Sequence, residues 1–184
     1  MTTLMIILIT LVVLLGVTFL SYYNKFVRLK QTIENSESQI NVQMKKRADL
    51  IPNLVATVKG YATHERTVFS EVTKARTAFM SAKSFESKVK ANAGVQTALK
   101  GVFAVAENYP ELKASANFLQ LQQETSAIED KIAYARQFYN DSIMTYNNTV
   151  KVIPGKWFAS LYHFKEIKYF DIPEEEKVVP SIKF

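Results

Sequence analysis

The first 24 residues contain no charged side chain, and the run from Leu4 to Leu20 inside them is apolar on every side. A helix of that kind cannot form the one-sided face that a small soluble domain buries. With Thr2, Thr3, Ser21, Tyr22 and Tyr23 as flanks, the run reaches the roughly 20 residues that a membrane-crossing helix needs. Met1-Thr2-Thr3 lacks the basic residues of a signal peptide, and Phe19 to Tyr23 is too bulky for its small-residue cleavage site. With no cysteine in the chain, a lipoprotein anchor is excluded as well. The expectation is an uncleaved single-pass anchor over residues 1–23. Leu4, Ile7, Leu11, Leu14 and Leu20 would lie in the hydrocarbon, with Tyr22 and Tyr23 in the interfacial aromatic belt. Lys25, Arg28 and Lys30 follow the run closely, and only the terminal amine precedes it. The positive-inside bias then places the body of the chain in the cytoplasm, a periplasmic or extracellular body being the alternative.

Beyond the anchor the length suits one domain, taken as residues 24–168, with an extended tail over 169–184. Five prolines and five glycines in 184 residues leave few turns and favour long helices. A net charge of +6 suits a surface near anionic lipid and is too mild to argue for nucleic acid. The absence of cysteine also removes disulfide and thiol chemistry.

From Phe26 an apolar seam advances in alternating steps of three and four: Phe26, Leu29, Ile33, Ser36, Ile40, Met44, Arg47, Ile51, Leu54, Val58, Tyr61, Glu65, Val68, Val72, Ala75 and Phe79. That is the stripe of a helix packed against others. Pro52 lies within it, yet the phase is the same on both sides. One long helix to about Met80, kinked at Pro52, is therefore expected. Two helices, with Asp49 as N-cap of the second, are the alternative. Ser84 is a plausible N-cap for a shorter helix with Phe85, Val89, Ala93, Gln96, Leu99, Val102 or Phe103, and Ala106 along its seam, ended by Tyr109-Pro110. The third helix has the cleanest pattern, running through Phe118, Leu121, Thr125, Ile128, Ile132, Ala135, Tyr139, Ser142 or Ile143, Tyr146 and Val150 to Ile153, where Pro154-Gly155 stops it. Trp157 to Phe164 could add one or two amphipathic turns, and Phe170, Ile172 and Phe184 are docking points in the tail. The fold class is all-α: an anchor helix continuing into an antiparallel bundle of three to four long helices.

The residues name no reaction. There is no phosphate-binding glycine loop, no dinucleotide fingerprint, no His-Glu-x-x-His and no nucleophile elbow. His64 with Glu65 and Glu71 is a weak metal-ligand set, and His163 sits in an aromatic patch that suits packing better than catalysis. Neither a cofactor nor a metal is expected. Lys45-Lys46-Arg47, partly neutralised by Asp49, reads as a charged helix face. Arg47 and Glu65 interrupt the apolar seam, either to fix register and partner number or because the seam reaches solvent there. Aromatic side chains exceed what a slender bundle buries, and the surplus suits copies of the same chain. Arg47, Pro52, Val58, Glu65, Trp157, Phe158 and Phe170 are the candidate assembly and packing residues. Ile128 and Ile132 are read as core, and Val58 as an outward seam.

Several segments resemble the bacterial LemA family: Asp49 to Val55 (DLIPNLV), Thr57 to Glu65 (TVKGYATHE), Val72 to Arg76 (VTKAR), Ala106 to Ala114 (AENYPELKA), Asn117 to Gln122 (NFLQLQ), Ala135 to Asp141 (ARQFYND) and Tyr146-Asn147, with Tyr23 to Leu29 (YNKFVRL) after the anchor. The resemblance implies a single-pass protein of the bacterial inner membrane with a helical bundle, and it brings no catalytic residues with it. The Trp frequent in that family around Ser36 to Gln39 is missing here, a difference of packing. Two functions follow as expectations. One is a self-assembling membrane scaffold with the bilayer and further copies as partners. The other is an adaptor that docks a membrane protease or sensor through the aromatic region from Trp157 onward.

Overall fold

In the computed structural model, which describes residues 1–170, the chain begins with a single helix of 58 residues, α1 (Thr2–Lys59). Its N-terminal part holds an 18-residue stretch apolar enough to cross a membrane, none of it buried. Leu4, Ile7, Leu11, Leu14 and Leu20 are all exposed. After α1 come α2 (Arg66–Ser81), α3 (Phe85–Ala106), the single turn α4 (Pro110–Lys113), α5 (Ala116–Lys151) and the short α6 (Gly155–Leu161). Among the described residues all regular structure is helical. The chain divides into two compact units to which α1 and α5 both contribute. One is Met1–Ser36 with the described part of Arg136–Phe184, and the other is Glu37–Ala135.

In the unit of residues 37–135, α1 buries Ile40, Met44, Arg47, Ala48, Ile51, Leu54 and Val58, the seam read from the sequence. Pro52 lies inside the helix without ending it. A proline in a helix deprives the carbonyl four residues back of its donor. Here that carbonyl belongs to Ala48, which is fully buried, and the Arg76 side chain of α2 donates to it through Nε at 3.1 Å. The orphaned acceptor is satisfied from a neighbouring helix, so neither a new helix at Pro52 nor an Asp49 cap is formed. Asp49 instead pairs with Lys45 on the exposed face at 3.1 Å.

The break comes after Pro52 and well before Met80, where a single kinked helix is expected to end. α1 stops at Lys59, and residues 60–65 turn the chain before α2. Glycine at position 60 weakens the helix by about 1 kcal/mol relative to alanine. Reversal at that point lets α2 lay Phe69, Val72 and Phe79 into the core, which a straight continuation would have left exposed. Within the turn Ala62 is buried and Tyr61 is not, so the seam slips by one residue there. Val72 and Phe79 then fall back into the old phase, which made the break invisible to periodicity. Val58 is fully buried and not on an outward seam, so a charge at that position acts on the fold.

α2 and α3 form a hairpin across residues 82–84. Ser84 caps α3, with its hydroxyl accepting from the Ser87 amide at 3.2 Å and the Ser87 hydroxyl accepting from the Ser84 amide at 3.1 Å. The α3 core is Asn92, Val95, Leu99, Val102, Val105 and Ala106, one residue earlier than the expected Ala93 and Gln96 at its start. α5 contributes Phe118, Thr125, Ile128 and Ile132 to this unit, as its periodicity indicates.

In the other unit, α1 and α5 run antiparallel through Phe26, Ile33, Tyr139, Ile143 and Tyr146. Ser36 and Ser142 meet in the seam with their hydroxyls 3.5 Å apart, and each also donates to a carbonyl one turn back on its own helix. This back-bonding lets a hydroxyl occupy an apolar seam without an unmet donor.

Arg76→Met is expected to destabilise the protein by about 1–3 kcal/mol in urea unfolding, the range for a buried acceptor that loses its partner. The loss should be clearly smaller in a Pro52→Ala background, where residue 52 regains its own N–H. Equal losses in both backgrounds would show that Arg76 does not serve the Ala48 carbonyl.

Candidate functional site

The first concentration of chemistry lies in the unit that contains the apolar run. α5 ends at Lys151, and α6 begins four residues later at Gly155. A Cβ at position 155 would fall 2.1 Å from the Thr149 carbonyl oxygen, so only glycine lets α6 start this close to the end of α5. α6 is closed by two bonds, from the His163 amide to the Ser160 carbonyl (3.3 Å) and from the Phe164 amide to the Ala159 carbonyl (2.9 Å). His163 has a φ of 60°, the left-handed C′ position of a Schellman motif. It is exposed there, where the sequence suggested packing.

This geometry presses one face of α6 onto the end of the apolar run. Phe158 stacks on Tyr22 with centroids 4.5 Å apart, and Tyr162 meets Phe19 edge-on at 4.8 Å and Tyr23 at 5.2 Å. The Tyr162 hydroxyl donates to the Phe19 carbonyl at 2.7 Å. Phe164, placed by the His163 turn, stacks on Phe26 at 4.8 Å. Trp157 and Leu161, four residues apart, occupy the opposite face of α6 and are exposed.

The chain then returns along α5. Tyr146 donates to the Lys165 carbonyl, and Asn147 holds Ile167 by both its amide and its carbonyl. Burial pushes the Tyr146 hydroxyl above its ordinary pKa. The Glu166 carboxylate, hydrogen-bonded to Lys151 at 2.8 Å, raises the lysine's pKa in turn. Phe170 ends the described chain with its amide on Asn140, its ring edge-on to Tyr139 and the Arg136 guanidinium 5.1 Å above it. Ile172 and Phe184 lie outside the described residues.

A second concentration is the polar centre of the unit of residues 37–135. Arg47 is 1% exposed, and its guanidinium bonds Glu129 of α5 and lies 3.4 Å from Asn92 of α3. Gln96 donates to the other Glu129 oxygen. The seam does not reach solvent at Arg47; three helices converge on it. Glu129 is 43% exposed, so one end of the pair is wet. Glu65, half-buried in the turn before α2, accepts from the Tyr109 hydroxyl at 3.4 Å. Arg47 was marked by its place in the seam and Gln96 stood in the expected seam of α3, but Glu129, Asn92 and Arg76 carried no signal of their own. Their role depends on which helix faces which.

The third feature is an open cleft of about 580 Å³ between the end of α1 and α2, lined by Lys59, Thr63, Arg66, Phe69, Ser70, Thr73 and Lys74. Three cations, three hydroxyls and no carboxylate in the lining make it electropositive. Lys59 reaches over the Phe69 ring at 5.6 Å. Among the described residues no group of three or more His, Cys, Asp or Glu could hold a metal ion.

Two outcomes check these assignments. Glu129→Ala is expected to cost about 3 kcal/mol, the low end for breaking a buried pair because Glu129 is partly wet. Arg47→Met, which removes the buried charge and keeps much of the volume, should cost less. The reverse order in urea unfolding would contradict the burial argument. Gly155→Ala should lower stability by about 1–3 kcal/mol, as overpacking does, and free α6 to be cut by protease. A variant as stable and as resistant as the parent would show that the close approach is not needed.

The LemA family model matches residues 36–184. Among curated proteins, magnetosome protein MamQ 2 of Paramagnetospirillum magneticum is 27% identical over 91% of this chain and 71% of its own. Magnetosome protein MamQ of Magnetospirillum gryphiswaldense is 25% identical over 83% of this chain and 66% of its own. Protein LemA of Metamycoplasma hominis is 24% identical over 84% and 71%. Pro52, the segments of residues 57–65 and 106–114, and the Glu129-bearing helix α5 all fall inside the matched region, and the chain belongs to the LemA family.

Proposed function

We propose that this chain is a non-enzymatic, single-pass protein of the bacterial inner membrane that works as a self-assembling helical scaffold, with its bundle on the cytoplasmic side. The observation that carries the reading is α1 itself. One uninterrupted helix is exposed and apolar through residues 4–20 and becomes a core element from Phe26 onward. An exposed apolar helix of that length is stable in hydrocarbon and not in water. Lys25, Arg28 and Lys30 just beyond it favour the cytoplasmic orientation.

Self-assembly draws on large apolar side chains that each unit leaves exposed beyond the apolar run. They are Val42, Leu119 and Tyr134 in one unit and Phe138 and Met144 in the other. Side chains of that size left on a surface are available to a partner. The names of the relatives give a location or a family and no reaction, which favours a structural role here. The adaptor reading has a narrower basis, the exposed Trp157 and Leu161 on α6.

The mass of the full-length protein in nanodiscs, read by mass photometry, tests the scaffold. A discrete particle of several copies is expected. A monomer at every concentration would overturn self-assembly.

A further inference from the structure

We propose that the outward face of α6, together with the elbow before it, is a second membrane contact that rests in the interface of the bilayer crossed by residues 4–20. This rests on the spanning reading of α1, and it assigns an occupant to a face that the bundle leaves open.

The placement follows from the aromatic collar that Phe158, Tyr162 and Phe164 form around Phe19, Tyr22, Tyr23 and Phe26 of α1. Tyr162 is bonded to the Phe19 carbonyl and Phe158 is stacked on Tyr22, so α6 is held at the level of the last turn of the apolar run. If that run fills the hydrocarbon, its last turn lies at the acyl–headgroup boundary, and a helix docked on it lies there too. The face of α6 turned away from α1 suits that depth. Trp157 and Leu161 on the helix, with Val152 and Ile153 on the elbow, are between 59% and 65% exposed. Four large apolar side chains within ten residues have no such exposure to gain in water, whereas a Trp among aliphatic residues is the composition of an interfacial segment.

Charge agrees. Lys156 is exposed beside Trp157, and Lys25, one turn past the collar, extends over the Tyr22 ring at 5.8 Å. These cations match the phosphates of anionic lipid. Glu166, the one carboxylate among the described residues after α6, is bonded to Lys151. A two-turn helix would bind a membrane weakly alone. Docked on a spanning helix it needs no affinity of its own, only a fixed height.

Trp157 is the sole tryptophan of the chain, so the native protein reports on the site. The experiment reconstitutes the full chain in vesicles of phosphatidylcholine and phosphatidylglycerol and compares two quenchers of Trp157 emission. One is lipid brominated near the carboxyl end of its acyl chains, and the other is aqueous acrylamide. A Leu11→Cys variant carrying an environment-sensitive label, unique because the chain has no cysteine, reports on the span in the same vesicles. Loss of most Trp157 emission to the brominated lipid, with little loss to acrylamide, is the expected result. Quenching by acrylamide alone, with the Leu11 label in lipid, would overturn the α6 contact and leave the span standing. Shielding from both quenchers would assign the face to protein, either a second copy or another partner, and would also overturn the proposal. A Leu11 label in water would remove the span and the α6 contact together.

Discussion

The bond from Arg76 to the Ala48 carbonyl decides what kind of helix α1 is. Proline at position 52 removes the donor that this carbonyl would otherwise use, and the carbonyl is too deeply buried to turn to water. An unmet acceptor at that depth would favour a kink or a break, and the helix would end near Asp49. Because α2 folds back and supplies a guanidinium, the helix continues past the proline with one backbone hydrogen bond missing and its acceptor satisfied. The seam from Ile40 to Val58 then keeps a single register against its neighbours. The reversal at residues 60–65 is what brings Arg76 to Ala48, so turn and proline are coupled: the break after Lys59 makes the absence of a break at Pro52 possible.

The same logic governs the other polar groups in the seams. Ser36 and Ser142 satisfy themselves locally, by bonding back into their own helices, and so need little from the neighbour they touch. Arg47 cannot do that. Its charge needs a carboxylate from α5 and support from α3, so it is satisfied only when three helices are in the right register. A local solution makes a seam position tolerant, whereas a shared one makes it specific. Specificity of this kind is the role that a single polar residue at a seam position plays in helical assemblies, and here it operates inside the chain.

Much of this was legible in the sequence because it depends on local chemistry. The apolar run, the seam as far as Val58, the Ser84 cap and the α5 stripe from Phe118 to Tyr146 each follow from periodicity or a capping residue. What was not legible depended on distant partners. Phase continuity was a sound guide at Pro52 and a false one at Gly60, because a six-residue turn happened to return Val72 and Phe79 to the earlier phase. The start of α3 is rotated by one residue because Asn92 faces Arg47, a preference that α3's own sequence does not contain. Val58 was misplaced as an outward position, because its burial depends on the fold around it and not on the seam of its own helix. The collar was half visible: Tyr22 and Tyr23 suited an interface, but nothing local said that α6 would return to meet them. That return hinges on Gly155, whose missing Cβ is a signal only once Thr149 is known to be its neighbour.

The uninterrupted passage of α1 through Pro52 is the claim on which the link between the apolar run and the bundle depends. Amide hydrogen exchange at Asn53, Leu54 and Val55 tests it most directly. In a continuous helix these amides donate to carbonyls before the proline, and in a helix that starts at Pro52 they are first-turn donors without helical partners. Protection at these three amides comparable to that of Met44 and Val58 is the expected result. Rapid exchange confined to them, with protected helix on either side, would contradict it.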